Sequence, residues 1–185
     1  IADTEGSVYH RVAGDLYVFD GDTVEVKFQD QSVTFISSWK GRLIINIDEE
    51  GLFLKSGDAL EWIPGSEIYS DDPVYAAVNF DDFLMLASRE KGLVLFDGDD
   101  FTPLIGEASD YLKDHNVYRG IRINDNEAAF ATLNGGIVVV NRSGGLKQVI
   151  REVDGLPTDK IYNLYIDHEQ NLWAATEFGI AKIMV

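Results

Sequence analysis

Tyrosine and arginine recur at one spacing in this chain, and both side chains suit sugar faces, carboxylates and hydroxyls. The series runs Thr34, Tyr75, Arg119, Tyr162, with Arg122 and Tyr165 three residues beyond its last two members. Arg89 and Glu177 fall in turns expected at the same end of the structure. Such residues bind by stacking, ion pairing and hydrogen bonding, and they break no bonds by themselves. The competing reading packs the same side chains between sheets, with the tyrosine hydroxyls bonded to backbone.

Other chemistries find less support. His10, His115 and His168 are scattered along the chain, so a histidine metal site is not expected. The acidic clusters at 48–50, 71–73 and 97–100 lack the ligand alternation of a calcium loop, and turns account for them. The 32 acidic residues always offer carboxylate pairs, yet nothing singles out two for hydrolysis. No glycine-rich phosphate loop leads from a strand into a helix, and no serine sits in a nucleophile elbow. No catalytic residue, metal or cofactor is expected.

Composition narrows the partners. With 15 basic against 32 acidic residues the net charge is −17, which disfavours nucleic acid and anionic membrane surfaces. No apolar run is long enough for membrane insertion. The absence of cysteine excludes disulfides and thiolate sites. At 185 residues, 45% hydrophobic, the chain suits one domain with a sizeable core.

The elements that must carry the tyrosines follow from a repeat. Gly51, Gly92, Gly136 and Gly179 are separated by 41, 44 and 43 residues. Aligned on them without gaps, Val33, Val74, Tyr118 and Ile161 stand together eighteen residues earlier. Ile36, Ala77, Ile121 and Leu164 share an apolar column, and Ile45, Leu86, Phe130 and Trp173 a bulky one. A small residue follows each time: Asn46, Ala87, Ala131 and Ala174. A partial fifth copy opens the chain, because LYVFDGDTV (16–24) matches LVLFDGDDF (93–101). Short β-branched and aromatic runs bounded by Gly, Asp and Pro predict strands, and Asp20-Gly21 and Asp97-Gly98 predict tight hairpins. Only 107–114 reads as a short helix.

Four antiparallel strands in each repeat of ~40 residues predict an all-β fold of β-propeller blades. Five blades are expected: a partial one at 1–31 with three strands, then 32–72, 73–115, 116–158, and a partial one at 159–185. All belong to one propeller domain. The bulky column is expected to fill the seam between blades, with Trp173 in the core. The repeat is expected to run beyond both ends as part of a larger propeller, in preference to a closed five-bladed ring.

The segment GLPTDKIYNLYIDHEQNLWAATEFGIAKI (155–183) resembles the repeat of the two-component regulator propeller family. It has the Gly-Leu-Pro lead, the Asp before the first hairpin, Asn-Leu-Trp, then Thr and Gly-Ile. The other copies have lost the Trp and most of the lead. The resemblance implies a non-enzymatic sensor module of a bacterial two-component protein, periplasmic or extracellular, responding to a small molecule or oligosaccharide. It implies downstream signalling domains and a homodimer contact as partners. The alternative is a cell-surface or secretion scaffold docking proteins or glycans; a propeller lyase or glycosidase ranks below both.

Overall fold

The computed structural model describes residues 2–4, 7–27, 32–57 and 59–183. The first sheet contains β1 (Ala2–Thr4), β2 (Ser7–Val12), β3 (Asp15–Asp20) and β4 (Thr23–Lys27). The second contains β5 (Val33–Trp39), β6 (Arg42–Ile47), β7 (Gly51–Ser56) and β8 (Ala59–Trp62). The third has β9 (Ala76–Asn79), β10 (Leu84–Ser88), β11 (Gly92–Phe96) and β12 (Phe101–Leu104). In the fourth are β13 (Val117–Asn124), β14 (Glu127–Thr132), β15 (Ile137–Asn141) and β16 (Leu146–Ile150). The fifth has β17 (Ile161–Ile166), β18 (Leu172–Thr176) and β19 (Gly179–Ile183). Every sheet is a simple antiparallel meander in chain order. This is the all-β architecture of propeller blades, as the repeat predicts.

The expected helix is present as α1 (Glu107–Asp114), which buries Ala108, Ser109 and Leu112. Both Asp-Gly pairs lie in the third-to-fourth-strand hairpins, with Gly21 and Gly98 at positive φ. The first blade departs from expectation. It holds a fourth strand, β1, whose residues Ala2, Asp3 and Thr4 pair with Tyr9, Val8 and Ser7. Three residues with no apolar alternation carry no strand signal, and only the ladder from β2 reveals it. The proposed limits at 1, 31 and 185 lie outside the described residues.

The chain divides into two compact units, residues 1–74 with 98–101, and residues 75–97 with 102–185. In the first, Tyr9, Leu16 and Val18 pack against Val33, Leu43, Ile45 and Ile47 from the next sheet. Asn46, between two of these on β6, is fully buried. Its amide donates to the carbonyls of Ile47, Gly51 and Tyr69 and accepts from the Val74 N–H. One side chain thereby satisfies a turn and the segment leading to the next sheet.

In the second unit two seams are dry. Val78, Met85 and Ala87 of the third sheet meet Ala128, Phe130 and Val138 of the fourth. Ala129, Ala131, Ile137 and Val139 then meet Ile161, Leu164, Leu172 and Ala174 of the fifth. Small residues permit the close approach: a Cβ on Gly120 would lie 2.9 Å from the Phe130 ring and 3.0 Å from Val78.

The ladders revise the gap-free alignment. Val33, Val117 and Ile161 stand opposite Ile47, Thr132 and Thr176. Ile47 and Thr132 precede their repeat glycines by four residues, whereas Thr176 precedes Gly179 by three. The second-to-third-strand turn of the fifth blade is therefore one residue shorter. The hydroxyls mark the true frame, since Thr132 Oγ1 donates to Gly136 O and Thr176 Oγ1 to Gly179 O, both at 2.9 Å. Ala174, rather than Trp173, thus occupies the Phe130 position. Trp173 does not fill the seam with the fourth blade. It lies on the opposite face of its sheet, half-buried, paired across the ladder with Tyr165.

Candidate functional site

Antiparallel strand order puts two sets of connections at one end of each blade: the turn from second to third strand, and the segment entering the first strand. In the second unit β13 neighbours both β9 and β17, so three first strands lie side by side. At the entry to each lies a buried aliphatic residue, Val74 ahead of β9 and Val117 or Ile161 opening β13 or β17, followed by a tyrosine, Tyr75, Tyr118 or Tyr162.

The ladder explains why the Tyr118 and Tyr162 rings leave the sheet. Val117 pairs with Thr132 and Arg119 with Ala131, which leaves Tyr118 as an extra residue. Tyr162 is skipped in the same way between Ile161 and Asn163, and Thr34 between Val33 and Phe35. A β-bulge re-aims its side chain out of the alternating pattern. The aligned column is therefore Thr34, Tyr75, Tyr118, Tyr162. Arg119, which the gap-free alignment placed in it, is the next residue, opposite Ala131 on the side toward the fifth blade.

A cation rests on each ring. The Arg89 guanidinium is 4.0 Å from the centre of Tyr75, Arg119 is 5.0 Å from Tyr118, and the Lys160 ammonium is 5.7 Å from Tyr162. Contacts of this kind hold a charge beside an aromatic face at modest cost. Lys160 also reaches Glu177 at 3.3 Å, and that turn is anchored by the Glu177 N–H donating to Lys160 O. The Tyr162 hydroxyl, and then Glu177, raise the Lys160 pKa above its ordinary value, so its charge persists at neutral pH.

The surrounding loops are tied to one another. Gly136 N–H donates to Asp159 O, and Leu133 N–H to Asn116 O. The Asp159 carboxylate accepts from the Arg151 guanidinium at 2.7 Å and from the Glu152 N–H at 2.7 Å. Burial opposes its charge, but these donors still bring the Asp159 pKa below the usual value. Tyr111 stacks on His115 with ring centres 3.9 Å apart, and its hydroxyl donates to Gly135 O. His115 packs against the Gly135 turn, where an added Cβ would lie 2.5 Å from its ring.

The remaining candidates do not join this end. Arg122 lies toward the opposite hairpins, pairing with Asp81 at 2.9 Å and Asp125 at 2.7 Å. It clamps the first hairpin of the third blade to that of the fourth. Tyr165 is 63% exposed on the outer face of the fifth blade. There it borders an apolar trough of about 450 Å³ with Asn163, Trp173, Ala175 and Ile180. Tyr75, Arg89, Arg119, Tyr162 and Glu177 thus lie at the same end of three neighbouring blades, while Arg122 and Tyr165 lie elsewhere. Tyr118 and Lys160 were missed. The signal that could have found them was the buried aliphatic residue before each tyrosine.

Among the described residues, no three His, Cys, Asp or Glu side chains cluster as metal ligands. No described helix is long and apolar enough to cross a membrane.

No family model matches the chain, and no curated protein matches it. Solved structures do. The chain superposes over its whole length on the extracellular domain of BT4673 from B. thetaiotaomicron, assigned to a one component or hybrid two component system, with a TM-score of 0.76 and 15% identity. The corresponding domain of BT3049 from the same organism, assigned to a hybrid two component system, gives 0.68 and 16% over the whole chain. PorZ, a surface component of the type-IX secretion system of Porphyromonas gingivalis, gives 0.60 and 14% over 99%. The chain spans about a quarter of each of these proteins, namely 27%, 28% and 27%. At such identities the likeness establishes the propeller fold. Extracellular domains of two-component systems are thus among the structures this chain is similar to, in line with the resemblance at 155–183.

Proposed function

We propose that this chain is a non-enzymatic binding segment of a sensor propeller, part of a bacterial two-component protein outside the cytoplasm, and that it takes a small molecule or oligosaccharide at the tyrosine-lined end. The observation that carries the reading is the recurrence of one device on three adjacent blades: a tyrosine at the entry to the first strand with a cation against its ring. Aromatic faces flanked by hydrogen-bonding cations suit a pyranose, whose ring hydrogens stack while its hydroxyls bond outward. The similarity to extracellular domains of two-component systems supports the same reading. Loops tied by Asp159 and Glu177 form a stiff platform, so a signal would leave by rigid-body movement of blades.

The test is thermal unfolding in the presence of a panel of soluble saccharides, with each saccharide analysed afterwards. One class should raise the midpoint in a saturable manner and be recovered intact. Recovery of a cleaved product would contradict the reading.

A second reading rests on a different observation. The outer face of the fifth blade exposes Tyr165 and Ile180, each more than 60% accessible, around Trp173. With the likeness to PorZ, this favours a scaffold that docks protein. Co-purification with a partner that protects Trp173, without any saccharide response, would select it.

A further inference from the structure

The second unit treats its arginines unequally. Arg122 holds two carboxylates, Arg142 pairs with Asp82, and Arg151 pairs with Asp159. Arg119 makes no ion pair among the described residues; its recorded contacts are the Tyr118 ring and a 3.4 Å bond to Tyr118 O. In a chain with 32 acidic residues against 15 basic ones, a carboxylate partner is easily supplied, so its absence here is informative. Arg119 is exposed and extends from the face of its sheet that meets the fifth blade, where Lys160 and Tyr162 stand. An arginine already oriented by a ring, with its planar fork open, fits a carboxylate through two parallel hydrogen bonds. Neighbouring Tyr118 and Tyr162 supply the ring surfaces, and the paired Lys160 contributes lasting positive charge.

We propose that the tyrosine-lined end selects an acidic saccharide, a uronate-bearing oligosaccharide whose carboxylate pairs with Arg119 while its rings rest on Tyr118 and Tyr162. This rests on the reading of that end as a saccharide site and names the class it takes. Local pairing at Arg119 must overcome the repulsion of an acidic ligand by a net charge of −17.

The experiment is calorimetric titration of the chain with tetragalacturonate and with a glucuronate-containing tetrasaccharide, each beside its carboxyl-reduced, neutral counterpart. At least one acidic form should bind, and its reduced form should bind at least tenfold more weakly. Arg119→Gln should remove most of that difference, and Arg119→Lys should restore part of it, with unchanged circular dichroism showing that both variants fold. Equal affinity for acidic and reduced forms would overturn the acidic class while leaving the saccharide reading in place. Failure of both acids to bind, while neutral saccharides stabilise the chain, would overturn it in the same way. If no saccharide of either kind binds, both readings fall together. Unaltered acidic binding by Arg119→Gln would overturn the role of Arg119.

Discussion

Gly92 shows how much a single position in this repeat is constrained. Its φ is +69°, and a Cβ there would lie 2.2 Å from Ser109 Oγ, which accepts the Leu93 N–H. Gly51 and Gly136 meet Ser66 O and Ile150 O just as closely, whereas nothing lies within 4 Å of Gly179. Gly92→Ala is expected to destabilise the chain by about 3 kcal/mol, and Gly179→Ala by distinctly less, in urea unfolding. The glycine was legible in sequence because it recurs. Its reason was not, since the atoms pressing on it belong to Ser109 of α1, seventeen residues later.

Asp167 makes the second residue-scale case. Its carboxylate accepts from the Trp173 indole at 2.7 Å and also from Asn171 and the Glu169 N–H. Those donors, Trp173 foremost, hold its pKa well below the usual carboxylate range. A lowered folded value means that the stabilisation is present above the unfolded pKa, about 3.9, and disappears as pH falls toward the folded one. Thermal unfolding should accordingly show a midpoint that drops below pH ~4. Asp167→Asn should start lower at neutral pH and show a shallower acid loss.

At the scale of elements, legibility followed the distance over which a feature is encoded. The helix at 107–114 and the Asp-Gly hairpins are local, and both were readable. Strand β1 depends on β2 for its identity and was not. The hairpin lengths were the subtler failure. The fourth and fifth copies each take one extra residue between first and second strands, and the fifth then loses one at its next turn. A gap-free alignment therefore stays in step at the glycines while slipping one residue inside. One slipped residue moves a side chain to the other face of its sheet, which is how Trp173 was assigned to the wrong side. Burial alone would not have corrected it, because the outer face of the fifth blade is also apolar. The b–c turn of the second blade has its own anchor in Asn46. Asn46→Ala would take a donor from the Ile47, Gly51 and Tyr69 carbonyls and the acceptor from the buried Val74 N–H, and should cost about 3 kcal/mol in urea unfolding. Asn46→Ser is expected to recover only part of it.

At the scale of the molecule, each blade is apolar on two faces and must be covered on both. The seams on either side of the fourth blade are filled. The propeller class was legible because four copies repeat size as well as polarity. The site was only half legible, because Tyr118 and Tyr162 sit at bulges, and a bulge leaves no mark in a residue count. The account stands on the claim that ligand meets the end carrying Tyr75, Tyr118 and Tyr162. Amide hydrogen exchange, with and without the saccharide that most raises the unfolding midpoint, tests this most directly. Protection is predicted in segments 116–119, 133–136 and 158–162, with no change in the hairpins at 79–83, 124–127 and 167–171. Protection confined to those hairpins, or spread over the Trp173 face, would contradict it.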